Sequence, residues 1–78
     1  MCGIIGINSN KPVSSTIINS LKKLEYRGYD SAGIATLYSG LINEIKSEGR
    51  VDNLERNSLV QSMRGTIGIG HVRWATHG

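Results

Sequence analysis

MCGIIGIN, residues 1–8, begins the chain, and a strand and a nucleophile meet in it at one peptide bond. Gly3 to Asn8 is short, apolar and rich in isoleucine, and the turn-forming run Asn8, Ser9, Asn10, Lys11, Pro12 closes it. That pattern predicts a buried first strand. Just before the strand stands Cys2, the only cysteine in 78 residues. Removal of Met1, which a side chain as small as cysteine's permits, would leave a thiol and a free α-amine on the same residue. Such an amine titrates near ~7.7 to 8.0, so part of it is unprotonated at neutral pH and able to take the proton of a thiol of pKa about 8.5. Nucleophile and base would then be one residue at the head of a strand. A second-position cysteine with no role is the competing reading.

Outward from this strand, Ile17, Ile18, Leu21 and Leu24 recur at helical spacing between about Ser15 and Glu25, with Ser14 or Ser15 available as N-cap and Gly28 beyond the end. The pattern predicts an amphipathic helix lying on a sheet. Arg27 to Ser31 reads as a polar loop. Ala32–Tyr38 and Leu41–Ser47 read as strands separated only by Ser39 and Gly40, the spacing of a tight hairpin. A second helix is expected to start near Asp52, with Glu55 completing a capping box and Leu54, Leu59, Val60 and Met63 on its apolar side, until Gly65 breaks it. Thr66 to Trp74 returns to an extended pattern in which Gly68 and Gly70 alternate with Ile67 and Ile69. One face of that strand is nearly bare, which invites close approach by a ligand or another backbone. The element order predicts an α+β layered domain. It stops at Gly78 with no terminating element, so the domain is expected to be incomplete.

Composition narrows the function classes. A chain this short buries only about 60% of its unfolded surface, so a self-sufficient core would be marginal. A single cysteine excludes an intramolecular disulfide, and the run Ile4 to Ile7 is too short, and lacks the charged segment before it, to be a secretory signal. A reducing compartment, the cytoplasm, is the expected location. No stretch approaches the ~20 apolar residues that span a bilayer. The net charge of +3 is spread along the chain, and the one adjacent basic pair, Lys22 and Lys23, falls on the polar side of the predicted helix. Neither nucleic acid nor membrane is an expected partner.

Three segments carry the chemistry: MCGIIGI at Met1–Ile7, YRGYDSAG at Tyr26–Gly33 and HVRWATHG at His71–Gly78. In this order they resemble the glutaminase domain of class II glutamine amidotransferases over essentially the whole chain. Amidophosphoribosyltransferases and asparagine synthetases share the cysteine start and an arginine-glycine loop. Tyr29 after Arg27 and Gly28, and Trp74 after Arg73, are more similar to the branch of the class that aminates fructose 6-phosphate. The resemblance implies that residues 1–78 are a partial type-2 glutamine amidotransferase domain, the N-terminal portion of an αββα N-terminal-nucleophile sandwich.

It also implies roles. Cys2 attacks the side-chain carboxamide of L-glutamine while its own amine shuttles the proton. Arg73 binds the substrate α-carboxylate, a task suited to a planar guanidinium. Thr76 and His77 add hydrogen bonds to that carboxylate, Trp74 belongs to the loop that closes over glutamine, and Arg27 and Gly28 position the nucleophile. The family's oxyanion-hole asparagine-glycine pair and its amine-holding aspartate would fall beyond position 78. So would the sugar-isomerase domains through which fructose 6-phosphate becomes a partner, whether on this polypeptide or on a separately encoded remainder. No cofactor is expected.

Blander readings stand beside these. Arg73 fits a surface ion pair on pattern alone, and Arg27, Gly28 and Asp30 fit a plain turn. His71 and His77 with Cys2 lack the paired ligand spacing of a structural zinc module, so no metal is expected. The series Gly65, Gly68, Gly70 reverses the spacing of a dinucleotide fingerprint and precedes no helix. As whole-chain alternatives, an inactive remnant or split-gene piece would keep the motifs without a working site, and a small binding module would hold an amino acid or a partner chain without catalysis.

Overall fold

The computed structural model describes residues 3–24 and 31–73. In chain order its elements are β1 (Gly3–Asn8), α1 (Ser14–Leu24), β2 (Ser31–Tyr38), β3 (Leu41–Glu48), α2 (Val51–Glu55), α3 (Ser58–Gln61) and β4 (Ile67–Arg73). The strands form one antiparallel sheet in the order β1-β4-β2-β3, so the last strand is inserted between the first and the second. The expected α+β layering is present, with strand ends within a residue of those read from the sequence.

Alternation along the strands gives the sheet two unlike faces. Ala32, Ile34, Thr36 and Val72 point to the covered face and are buried there with Ile17, Ile18, Leu21, Val51 and Leu54 of the helices. Each of the valine, leucine and isoleucine side chains among them contributes about 1.5–3 kcal/mol when fully removed from water. Gly68 and Gly70 share this face. Their bareness is used by α1: a Cβ on Gly68 would meet Ile17 Cδ1 at 2.9 Å, and one on Gly70 would meet Leu21 Cδ1 at 3.1 Å. The glycine face expected to admit a ligand or another backbone is therefore filled by helix side chains. Thr36 Oγ1 is buried there without a hydrogen-bond partner among the described residues, an arrangement that costs about 1–3 kcal/mol.

The opposite face is apolar and uncovered. Ile4 is 78% exposed and Ile69 is 55% exposed, and Leu37, Ile42 and Ile67 are exposed beside them. This corrects the expectation of a buried first strand. β1 lies at a sheet edge, and only its alternate residues Ile5 and Ile7 pack against the core.

Local signals resolved unevenly. Ser39 and Gly40 have φ of 51° and 77°, so both turn residues are left-handed, as a two-residue hairpin of this twist requires. At the start of α1 neither Ser14 nor Ser15 is the cap. The Ile17 N–H donates to the Val13 carbonyl at 2.9 Å, so the helix begins on Val13, and Ser14 is buried. The expected second helix is two short ones. Asp52 lies inside α2, whose N-cap Arg50 makes no side-chain capping bond. The chain breaks at Asn57, whose side-chain oxygen accepts the Leu59 N–H at 2.8 Å and starts α3. A local side-chain bond has displaced the helical one. The break turns Leu59 outward, 65% exposed, while Leu54, Val60 and Met63 stay buried. Gly65 is not the breaker either, since α3 already ends at Gln61. Gly65 lies where a Cβ would meet the Leu37 carbonyl oxygen and Thr36 Cβ, each at 2.7 Å, so its lack of a side chain lets the chain pass against β2.

Candidate active site

The register of the sheet sets the geometry of the site. In the β1–β4 pair Gly3 faces Val72, and in the β2–β4 pair Ala32 faces Val72 and Ser31 faces Arg73. β1 therefore starts, β2 starts and β4 finishes at one end of the sheet. Each of the three motifs is tied to that end by its described part: Gly3 follows Cys2 directly, Ser31 follows the arginine-glycine loop, and Arg73 precedes Trp74. Segments far apart in sequence meet there because β4 runs between the other two strands.

Of the residues assigned to the chemistry, Arg73 is described. Cys2, Arg27, Gly28, Trp74, Thr76 and His77 lie outside the described residues, as does Asp30. Arg73 is exposed at the strand end. Among the described residues it forms no ion pair, unlike Lys22, which reaches Glu55 at 2.6 Å and Asp52 at 3.7 Å. The surface ion pair that competed for Arg73 is thus not formed within the described residues.

Gly3, the first described residue of β1, is closely packed. A Cβ at that position would meet Leu24 Cδ1 at 2.7 Å and Val72 Cγ2 at 3.4 Å. The last turn of α1 therefore closes onto the first residue of β1, and only glycine leaves room for it. On the uncovered face, Gly33 and His71 face each other across β2 and β4, and His71 leans over the glycine. Neither contact was anticipated as part of the site. Gly3, Gly33 and His71 all stand in the motifs, but which of them touch depends on the strand register.

Two observations bear on other chemistries. Among the described residues no cluster of three or more His, Cys, Asp or Glu side chains could hold a metal ion, and no helix is long and apolar enough to cross a membrane. A groove of about 610 Å³ lies between the tip of the β2–β3 hairpin and α3, lined by Tyr38, Ile42, Glu44, Leu59, Met63 and Arg64. It is at the far end of the sheet from Gly3, Ser31 and Arg73, and none of the described motif residues lines it.

No protein-family model matches the chain. Known proteins do. Over all 78 residues the chain is 54% identical to the glutamine–fructose-6-phosphate aminotransferase (isomerizing) of Rhizobium meliloti (strain 1021), and 55% identical to that of Brucella suis biovar 1. It spans 13% of the length of each. A solved structure described as the allosteric regulatory enzyme of purine biosynthesis superposes on 97% of the chain with a TM-score of 0.84 at 26% identity, the match covering 16% of that protein. Fold and sequence together match the chain to the N-terminal part of a class II glutamine amidotransferase domain, with the α+β architecture of an N-terminal-nucleophile sandwich. Within that class its sequence is similar to the N-terminal region of glutamine–fructose-6-phosphate aminotransferases.

Proposed function

We propose that this chain supplies the nucleophile and part of the glutamine clamp of a glutaminase, which releases ammonia from L-glutamine for transfer to fructose 6-phosphate. Residues 1–78 then act as part of a type-2 glutamine amidotransferase domain. The observation that supports this reading is the convergence of Gly3, Ser31 and Arg73, one from each motif, at a single end of the sheet.

In the proposed reaction the Cys2 thiol gives its proton to its own α-amine, and the sulfur attacks the carboxamide carbon of glutamine. The tetrahedral oxyanion collapses and expels ammonia, which carries away the proton held by the amine. Water then cleaves the γ-glutamyl thioester, releasing glutamate and restoring the thiol. Arg73 holds the substrate α-carboxylate through a charge-assisted, bidentate pair. Thr76 and His77 add hydrogen bonds to it, Trp74 covers the bound glutamine, and Arg27 and Gly28 hold the nucleophile in place. The amine must be free, so Met1 must be removed, and a reducing compartment such as the cytoplasm would keep the lone thiol available. Oxyanion donors and the fructose 6-phosphate site would come from sequence that the longer relatives carry and these 78 residues do not.

The test is an enzyme in which the 78 residues are continued by the remaining length of the Rhizobium meliloti relative. Arg73→Ala should raise the KM for glutamine roughly 10² to 10³-fold, as expected when a hydrogen-bonded charge pair worth about 3–4 kcal/mol is lost from binding, while ammonia-dependent synthesis persists. Equal loss with both nitrogen sources would assign Arg73 to folding, and glutamate release unaffected by Cys2→Ala would remove the proposed nucleophile.

A further inference from the structure

His71 and Gly33 stand inside the segments that carry the proposed site, yet the chemistry above gives neither a task. They face each other directly across the β2–β4 pair on the uncovered side of the sheet. A Cβ built on Gly33 would lie 3.0 Å from His71 Cδ2 and 3.1 Å from Cε1, and closer still to Nε2. The ring occupies the space that a side chain at position 33 would need. Gly33 is accordingly buried although it faces away from the helices, whereas Leu37 and Ile69 on the same face are exposed. An aromatic ring laid over a strand glycine restores packing that the glycine lacks, and it is specific to one register.

The position of this contact gives it a consequence beyond packing. His71 precedes Arg73 by two residues and so shares its face. Gly33 follows Ser31 by two, and Ser31 is the partner of Arg73. The contact therefore lies one pleat from the Ser31–Arg73 pair, about 7 Å along the strand, next to the last described residue of β4. We propose that His71 is a positioning residue: seated on Gly33, it fixes the outgoing end of β4 against β2 and so sets where the Arg73 guanidinium is presented. The proposal rests on the reading of Arg73 as the carboxylate clamp. His71 need not touch substrate in this role.

The same continued enzyme tests it, with glutamate binding by calorimetry as a readout that requires no turnover. Since a misplacement of about 1 Å in a binding group can cost on the order of 10²-fold, His71→Ala should weaken glutamate binding by at least roughly tenfold and raise the KM for glutamine, with ammonia-dependent kcat retained. In an Arg73→Ala background the same change should add nothing. Gly33→Ala, whose new methyl displaces the ring, should reproduce the defect, the double variant should be no worse than His71→Ala, and His71→Phe should recover much of the binding by restoring a ring. If His71→Ala does not fold, His71→Gln permits the same comparison between backgrounds. Additive losses with and without Arg73, or equal loss of ammonia-dependent activity, would reduce His71 to a stability role and overturn the proposal. Unchanged glutamate affinity would overturn it too. Failure of the unaltered enzyme to bind glutamate would be a different result, removing the glutamine reading and this proposal together.

Discussion

Gly68 shows how little latitude single residues have beneath α1. A methyl group there would come within 2.8 Å of the Ala35 carbonyl oxygen, 2.9 Å of Ile17 Cδ1 and 3.0 Å of Thr36 Cγ2. The carbonyl belongs to the adjoining strand and cannot give way, so the strain passes to the helix. Gly68→Ala should destabilise the fold by about 1–3 kcal/mol, the usual range for overpacking. Denaturant unfolding of the continued enzyme's glutaminase domain would measure it, and a neutral result would show that α1 sits farther from β4 than described. The glycines at the site end act on the same principle with different neighbours. Gly3 admits Leu24, and Gly33 admits the His71 ring. All of them were visible as glycines in the sequence. What each admits was not, because the neighbour comes from a strand or helix many residues away.

At the scale of elements, Lys22 links α1 to α2 by donating to Glu55 at 2.6 Å, with Asp52 at 3.7 Å. The hydrogen bond to Glu55, aided by the nearby charges of Glu55 and Asp52 and opposed by some desolvation, raises the Lys22 pKa above its ordinary 10.5. A raised pKa in the folded state favours the charged form. Its contribution to stability is therefore complete below the unfolded value and is lost as pH rises through the folded one. Lys22→Met should lower the thermal midpoint slightly at pH 8 and low salt, less at high salt, and not at all once the lysine is neutral. A loss of the same size in strong alkali would show that the aliphatic stem, and not the charge, carries the contact. Elements ruled by nearby residues were legible in the sequence: the periodicity of Ile17, Ile18, Leu21 and Leu24 gave α1, and Ser39-Gly40 gave the hairpin. The α2–α3 break was not, because Leu54, Leu59, Val60 and Met63 read as one continuous stripe while the Asn57 side chain had already ended the helix and left Leu59 exposed. Nor was the insertion of β4 between β1 and β2, since nothing local to Thr66–Trp74 names its partners. That insertion is what brings the three motifs to one end, so the motifs could be read as a site before the geometry joining them could be derived.

For the whole molecule, the sheet is covered by helices on one side and presents Ile4, Leu37, Ile42, Ile67 and Ile69 on the other. An apolar sheet face is half of a sandwich, and the αββα architecture completes it with a second sheet. The chain spans 13% of its relatives' length. Expressed as 78 residues alone, it should be poorly folded and release no measurable glutamate, since the loss of even one oxyanion donor typically costs ~10² to 10³ in rate. A cooperative thermal transition in the isolated monomer, with Cys2-dependent glutamate release, would contradict that. The central claim, that Cys2 becomes an N-terminal nucleophile for glutamine, has a more direct test. The continued enzyme is treated with a glutamine-mimicking electrophile and its N-terminal peptide is weighed by mass spectrometry. The account predicts a peptide that lacks Met1 and carries one adduct on Cys2, with labelling abolished in Cys2→Ala and slowed in Arg73→Ala. Retention of Met1 in active enzyme, or labelling undiminished in Cys2→Ala, would contradict it.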